Sequence, residues 1–300
     1  MTTPVGIKKK KKRDWKRYLP FYLMGTPLIA YLFINNYMPL YGLLFAFKDV
    51  NMRKGVMGSA WVGLKNFEFL FATSDAFIMT RNTILYNLVF LVLGPTIGIA
   101  VAICLNSIKG KRSSKIYQTS ILLPQLISMV IVAYIVYALL SNETGMINKM
   151  LGDNAVNFYA EKQYWPFILV FIQVWKQLGY NAIIFLSSLV GIDKSIYEAS
   201  RVDGANRWQT LWSVTLPMLR PIMFFVTTLL LINSFKAFDH IWVMTGRGPG
   251  NSTTTLVTYI YSHVFDNAGL ASAASAVLLL VVFIITMVDN KIGKDGSVGE

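Results

Sequence analysis

Three charged side chains stand inside stretches that are otherwise apolar: Lys176, Lys236 and Asp239. Ions are expensive in hydrocarbon, so such groups face a cavity or a partner and mark candidate pathways. Lys236 and Asp239 are spaced i, i+3, so a self-neutralised pair along one helix and a polar lining of a path are both open. The two surrounding runs also hold Gln173, Trp175, Tyr180, Asn181, Asn233, Phe235 and Trp242. Amides and aromatic faces together suit a sugar, which offers hydroxyls and C–H faces. Other chemistries lack their parts. His240 and His263 are the only histidines and Cys104 the only cysteine, so neither metal-ligand spacing nor an intrachain disulfide is present. A proton relay through His240 would need a second carboxylate within the spans. Ser187 or Ser234 with His240 could in principle form a nucleophile and base, but no motif supports an intramembrane hydrolase. Neither G-x-x-x-x-G-K-[ST] nor G-x-S-x-G occurs.

A second constellation is polar and lies between two apolar runs. Residues 197–221 read YEASRVDGANRWQTLWSVTLPMLRP. Ile196, Ala199 and Ser200 give a short helix with a small face, and Gly204 favours a turn. Trp208, Leu211 and Trp212 then recur at i, i+3, i+4, one apolar helical face. Pro217 and Pro221 should stop or kink that second helix. The product is a compact helix–turn–helix knob. Its small residues would let a partner's backbone approach, whereas Trp208, Trp212 and Arg207 equally suit a helix lying on lipid.

The elements that must carry these residues are membrane helices. Only 14% of the 300 residues are charged, 54% are hydrophobic and the mean hydropathy is +0.49. Apolar runs near 20 residues without alternation read as helical spans, not barrel strands. Six are expected, at about 19–47, 83–105, 119–140, 166–190, 222–245 and 270–288, followed by a polar, mobile tail from Asp289. The first run is too long and too rich in Tyr, Phe and Asn for a cleaved signal peptide. Gly94 and Gly98 form a GxxxG that permits close helix packing, and Pro95 should kink the second span. The segment 48–81, with Trp61 and several Phe, reads as interfacial, and the run GRGPGNSTTT after the fifth span as a loop. The net charge of +13 follows topology. Eighteen Lys and Arg fall on the side holding both termini and the 197–221 stretch, against eight on the other. The excess puts both termini in the cytoplasm and makes nucleic acid the weaker explanation of the charge. The domains expected are a basic head over 1–17, one transmembrane domain over 18–290 with its cytoplasmic loop at 191–221, and a tail over 291–300.

Glu198-Ala199-Ser200-x-x-Asp203-Gly204-Ala205, followed after a spacer by Leu216-Pro217, resembles the EAA motif of permease subunits of ATP-binding-cassette importers. TGRGPGNST at 245–253 resembles the TNGGP-type segment of the carbohydrate-uptake branch. PLYGLLFAFKD at 39–49 and WVGLKNF at 61–67 resemble the oligosaccharide and polysaccharide permeases. The likeness covers nearly the whole chain. Its departures are mild: Ser200 replaces a second alanine, and Arg247 interrupts the glycine pair.

The resemblance implies an all-α, six-span, type I importer permease in the bacterial cytoplasmic membrane. It implies that the EAA loop forms a coupling helix seated in a cleft of a cytoplasmic ATPase, with Glu198 making a polar contact and Gly204 setting the turn. ATP and Mg would then bind the partner ATPases and no cofactor this chain. The expected partners are a second homologous permease in a heterodimer, two ATPase subunits, an extracytoplasmic solute-binding protein, membrane lipid and a carbohydrate. The family's pathway is lined from the spans flanking the loop, which makes Gly179, Tyr180, Lys236 and Asp239 the best-anchored positions, with Asn181 and Phe235 beside them. The competing class is a secondary transporter or channel that uses Lys176, Lys236 and Asp239 as coupling groups. It would show paired discontinuous helices in two halves, a pattern the sequence lacks.

Overall fold

The computed structural model of the protein describes residues 15–51, 53–234, 238–245, 248–249 and 252–297. The chain divides into two units, Met1–Leu44 and Phe45–Glu300. The described part of the first is helix α1 (Trp15–Leu32), a π-helical turn at Phe33–Tyr37 and the start of the 3-10 run Met38–Phe47. Pro20 and Pro27 lie inside α1. The apolar helical stretch Tyr18–Phe47 is long enough to cross a membrane.

The second unit opens on a small hairpin. Strand β1 (Lys48–Asp49) pairs antiparallel with β2 (Ala60–Trp61), Lys48 opposite Trp61. Asn66 locks this turn. Its amide donates to the carbonyls of Ala46 at 3.0 Å and Lys48 at 2.9 Å, while Phe47 stacks on Trp61. The segments 45–49 and 61–67 therefore meet at a hairpin.

Eight labelled helices follow, with single-turn pieces between them: α2 (Ser74–Asn106), α3 (Lys111–Leu126), α4 (Met129–Leu140), α5 (Trp165–Gly191), α6 (Lys194–Val202), α7 (Leu216–Ser234), α8 (Asp239–Thr245) and α9 (Leu256–His263). The last element is α10 (Ala268–Ser297). Among the described residues five helices are long and apolar enough to span, six if α3 and α4 count as one bent span.

Four boundaries differ from expectation for physical reasons. The second span starts at Ser74 because Thr73 caps it, its hydroxyl accepting from Ala76 N. The third is broken by 91° between α3 and α4. Pro124 removes a donor from the last turn of α3, Ile127 and Ser128 are extended, and the Ser128 hydroxyl caps α4. The fifth is not one helix to 245: α7 ends at Ser234, Phe238 is non-helical and Asp239 opens the separate helix α8. The backbone from Asp289 continues as helix to Ser297, where a mobile tail was expected.

The core is held by close helix approach. Lipid tails are as apolar as leucine, so helices in a membrane associate through packing instead of water exclusion. A Cβ on Gly98 would meet Asn181 Cβ at 3.0 Å and the Phe185 ring at 3.4 Å; one on Gly94 would meet Leu230 at 3.3 Å. The GxxxG thus seats α2 against α5 and α7, beside buried Ile99, Ala102, Phe185, Leu189 and Val226. A second cluster joins Tyr86 and Phe90 of α2 to Val132 and Val136 of α4, Trp165 and Leu169 of α5, and Ile241 of α8.

The Thr-rich run after α8 is packed inside, contrary to a simple outer loop. Thr253, Thr254, Thr255 and Thr258 are buried. Asn82 of α2 donates to the carbonyls of Ser252 and Thr254, both at 3.0 Å, and the Thr83 hydroxyl accepts from Leu256 N at 3.0 Å. Threonine and asparagine satisfy backbone groups that the interior would otherwise leave unpaired. Gly246, Arg247, Gly250 and Asn251 of this run lie outside the described residues.

Candidate functional site: a capped helical knob and a polar cavity between helices

The knob forms for reasons that can be followed residue by residue. Asp193 caps α6, its carboxylate accepting from Ser195 N at 3.0 Å, and that hydrogen bond holds its pKa below the usual carboxylate range. The helix ends in a Schellman turn. Ala205 N donates to Ser200 O at 3.0 Å, Gly204 N donates to Arg201 O at 3.1 Å, and Gly204 has φ +80°. Nothing lies within 4 Å of where its side chain would stand, so this position needs glycine for its backbone angle and not for space.

Two residues later the chain re-enters a helix through a reciprocal cap. Asn206 N donates to Gln209 Oε1 at 2.8 Å, and Gln209 N to Asn206 Oδ1 at 2.9 Å. Glu198, Ala199, Asp203 and Gly204 are exposed, Ala205 is half-buried, and Ser200 is buried with its hydroxyl donating to Tyr197 O. Trp208 and Trp212 are 70% and 66% exposed, so the i, i+4 aromatic pair points away from the chain's own core.

The prolines do not end the second helix. Arg207–Asn233 is one continuous helical stretch, passing through a π segment at Leu211–Thr215 before Leu216 and Pro217. Pro217 cannot donate, and a shift to i→i+5 pairing, with Leu216 N on Leu211 O, carries the backbone past it. The knob is therefore joined to a spanning helix with no loop between them.

The second feature is a polar cavity of about 360 Å³ lined by Gln125, Gln177, Tyr180, Asn181, Ile184, Val226, Leu229, Leu230 and Asn233. Gln177, Tyr180, Asn181 and Ile184 follow i, i+3, i+4, i+7, one face of α5. Asn181 is 1% exposed, and its amide nitrogen has no partner among the described residues. A buried donor without a partner is costly and usually has a purpose. The cavity brings together Tyr180, Asn181 and Asn233 as expected by residue type. It leaves out Gln173 and Trp175, which lie elsewhere on α5, and Trp242, which packs on Tyr261 at 5.0 Å.

Gly179 is buried where α5 crosses α3, and a Cβ there would run into the Ile121 carbonyl. Asp239 is exposed at the start of α8, while His240 is buried edge-on to Phe90 at 5.8 Å. Phe235 and Lys236 lie outside the described residues. Gln125 and Gln177 were missed. Gln177 could have been found from its spacing to Tyr180 and Asn181, but Gln125 comes from a different helix, α3, which no local spacing reveals.

A bundle of bent and straight spans with a capped helical knob and a polar cavity between helices is the architecture of a membrane permease. The family of binding-protein-dependent transport system inner membrane components matches residues 94–292, and the chain belongs to that family. It is 27% identical to the polygalacturonan/rhamnogalacturonan transport system permease protein YteP of Bacillus subtilis (strain 168), over 97% of this chain and 95% of that one. It is 30% identical to the arabinooligosaccharides transport system permease protein AraP of Halalkalibacterium halodurans, over 91% of this chain and 86% of that one. A crystal structure of a bacterial alginate transporter in complex with alginate pentasaccharide-bound periplasmic protein contains a chain that matches with TM-score 0.84 at 28% identity, covering 95% of this chain and 98% of that one. The all-α importer-permease fold expected from the motifs is the fold observed.

Proposed function

We propose that this chain is the non-catalytic membrane subunit of an ATP-driven oligosaccharide importer. The observation that carries the reading is the capped knob at 194–215, exposed at Glu198 and Ala199 and continuous with a spanning helix. Glu198, Ala199, Ser200, Asp203, Gly204 and Ala205 form or shape the surface that enters a cleft on a cytoplasmic ATPase, and Leu216-Pro217 lead it into the membrane. ATP and Mg bind that ATPase, and this chain binds no cofactor. A second homologous permease completes the path, two ATPases drive it, and an extracytoplasmic binding protein delivers the sugar. Both termini are cytoplasmic, as the Lys and Arg distribution supports. The Gln125–Asn181–Asn233 cavity lies on the sugar path, with amides for hydroxyls and Tyr180 for a sugar face. Relatives named for polygalacturonan/rhamnogalacturonan and arabinooligosaccharides, and a similar transporter solved with an alginate pentasaccharide-bound periplasmic protein, support that class.

The test is uptake into proteoliposomes holding this chain, its partner permease, the ATPases and the binding protein. The probes are arabinotriose and trigalacturonate, one neutral and one acidic. Uptake of at least one is expected to need both ATP and binding protein. Uptake driven by a proton gradient without ATPases would establish the secondary-transporter reading instead.

A further inference from the structure

Lys176 is an intramembrane charge that the coupling knob does not use. It lies on α5 three residues before Gly179, one turn away on the same face. Both residues act on the bent third span. The Lys176 amine donates to the carbonyl of Ile127, the first extended residue after α3. At Gly179 the helices touch backbone to backbone. A Cβ there would run into the Ile121 carbonyl and stand 2.9 Å from Leu122 Cα. The end of α3 is thus held at two points from one face of α5, by a contact that only glycine permits and by a cation on its carbonyl terminus.

A cation is favourable at that place for two reasons. The last carbonyls of a helix are unpaired, and the helix dipole puts negative charge there. The bend also leaves the Ile127 carbonyl outside any helical ladder, and in lipid such a group must find a partner. The held segment carries Gln125, two residues before Ile127, into the polar cavity with Gln177, Tyr180 and Asn181.

From this juxtaposition we infer that Lys176 is a positioning residue for sugar recognition: it clamps the elbow at 127–128 and so aims Gln125 into the cavity. The inference rests on the cavity being the sugar path. It gives the intramembrane charge a fixed structural partner, which a coupling ion carrier would lack.

The test uses the complete transporter in proteoliposomes and whichever of arabinotriose or trigalacturonate is taken up faster. Lys176→Met is expected to raise KM about tenfold with maximal rate within about twofold, the signature of a displaced binding group. Lys176→Arg keeps a cation on the carbonyl and should stay within about threefold of the parent. Gln125→Ala raises KM similarly, and the double variant is no worse than the worse single, because both act through one contact. The elbow is read separately, without sugar, by the distance between nitroxide labels at exposed Tyr117 and Tyr134 in a Cys104→Ser background. That distance should shift in Lys176→Met and not in Lys176→Arg. Lys176→Leu, likewise apolar and without a donor, serves the same comparison if the methionine variant does not reach the membrane. An unmoved distance would overturn the clamp. A moved distance with KM unchanged in both Lys176→Met and Gln125→Ala would leave the clamp standing and overturn the cavity as the sugar path. KM effects that multiply in the double variant would overturn the link between Lys176 and Gln125.

Discussion

Replacing Glu198 with lysine is expected to leave the subunit folded and inserted while cutting ATP-driven uptake by about 100-fold. Glu198 is exposed on α6, and the turn that shapes the knob runs through the backbone of Ser200, Arg201, Gly204 and Ala205, not through its side chain. The change therefore acts on the partner and not on the fold. Reversing a charge that is buried on docking costs about 2–5 kcal/mol, and about 2.7 kcal/mol corresponds to roughly 100-fold. The expected pattern has three parts, read by membrane quantitation, thermal unfolding of the purified subunit and co-purification with the ATPase: unchanged abundance, unchanged unfolding and lost co-purification. Loss of abundance in step with uptake would mean that Glu198 serves the fold.

The second large effect is at Gly179. Alanine there would place a methyl against the Ile121 carbonyl and within 2.9 Å of Leu122 Cα. Backbone cannot rotate aside as a side chain can, so α3 must move away from α5. Overpacking of this kind costs about 1–3 kcal/mol, and more when rigid elements must separate. Gly179→Ala is expected to lower the unfolding temperature of the purified subunit and to abolish uptake, because Gln125 leaves the cavity with α3. Gly191→Ala is the control. It lies at the end of the same helix with nothing within 4 Å of the added methyl, and it should leave both measurements unchanged. Equal behaviour of the two variants would contradict the close crossing.

The contrast between these two glycines shows what the sequence could and could not reveal. The membrane class, the span at α5 and the knob were legible because each rests on local chemistry: apolar run length, a glycine turn, and aromatic residues at i, i+4. The GxxxG at Gly94 and Gly98 was legible as a packing motif, and the structure adds that it faces Asn181 and Phe185. The broken third span was not legible. Its break needs only two extended residues at 127–128, and its stabilising partner, Lys176, is 49 positions away. Of the two outcomes open at Pro217, a stop or a kink, the structure excludes the stop: the π segment at Leu211–Thr215 re-pairs the backbone and the helix continues. The buried threonine run at 253–258 was hidden by composition. Gly, Ser and Thr usually mean an exposed loop, and here they satisfy Asn82 and Thr83 from a helix about 170 residues earlier.

We propose that the knob delivers ATP hydrolysis to the membrane helices by seating Ala199 in an ATPase cleft. A cysteine at Ala199 in a Cys104→Ser background, with single cysteines placed around the cleft of the ATPase, tests it directly, since Ala199 is exposed and Cys104 is the only native thiol. Rapid disulfide cross-linking is predicted between Ala199→Cys and the ATPase, together with inhibition of uptake that a reductant reverses. Cross-linking should be absent from a cysteine at exposed Phe167 on α5. Full uptake with Ala199→Cys and no cross-link to any cleft position would contradict the account.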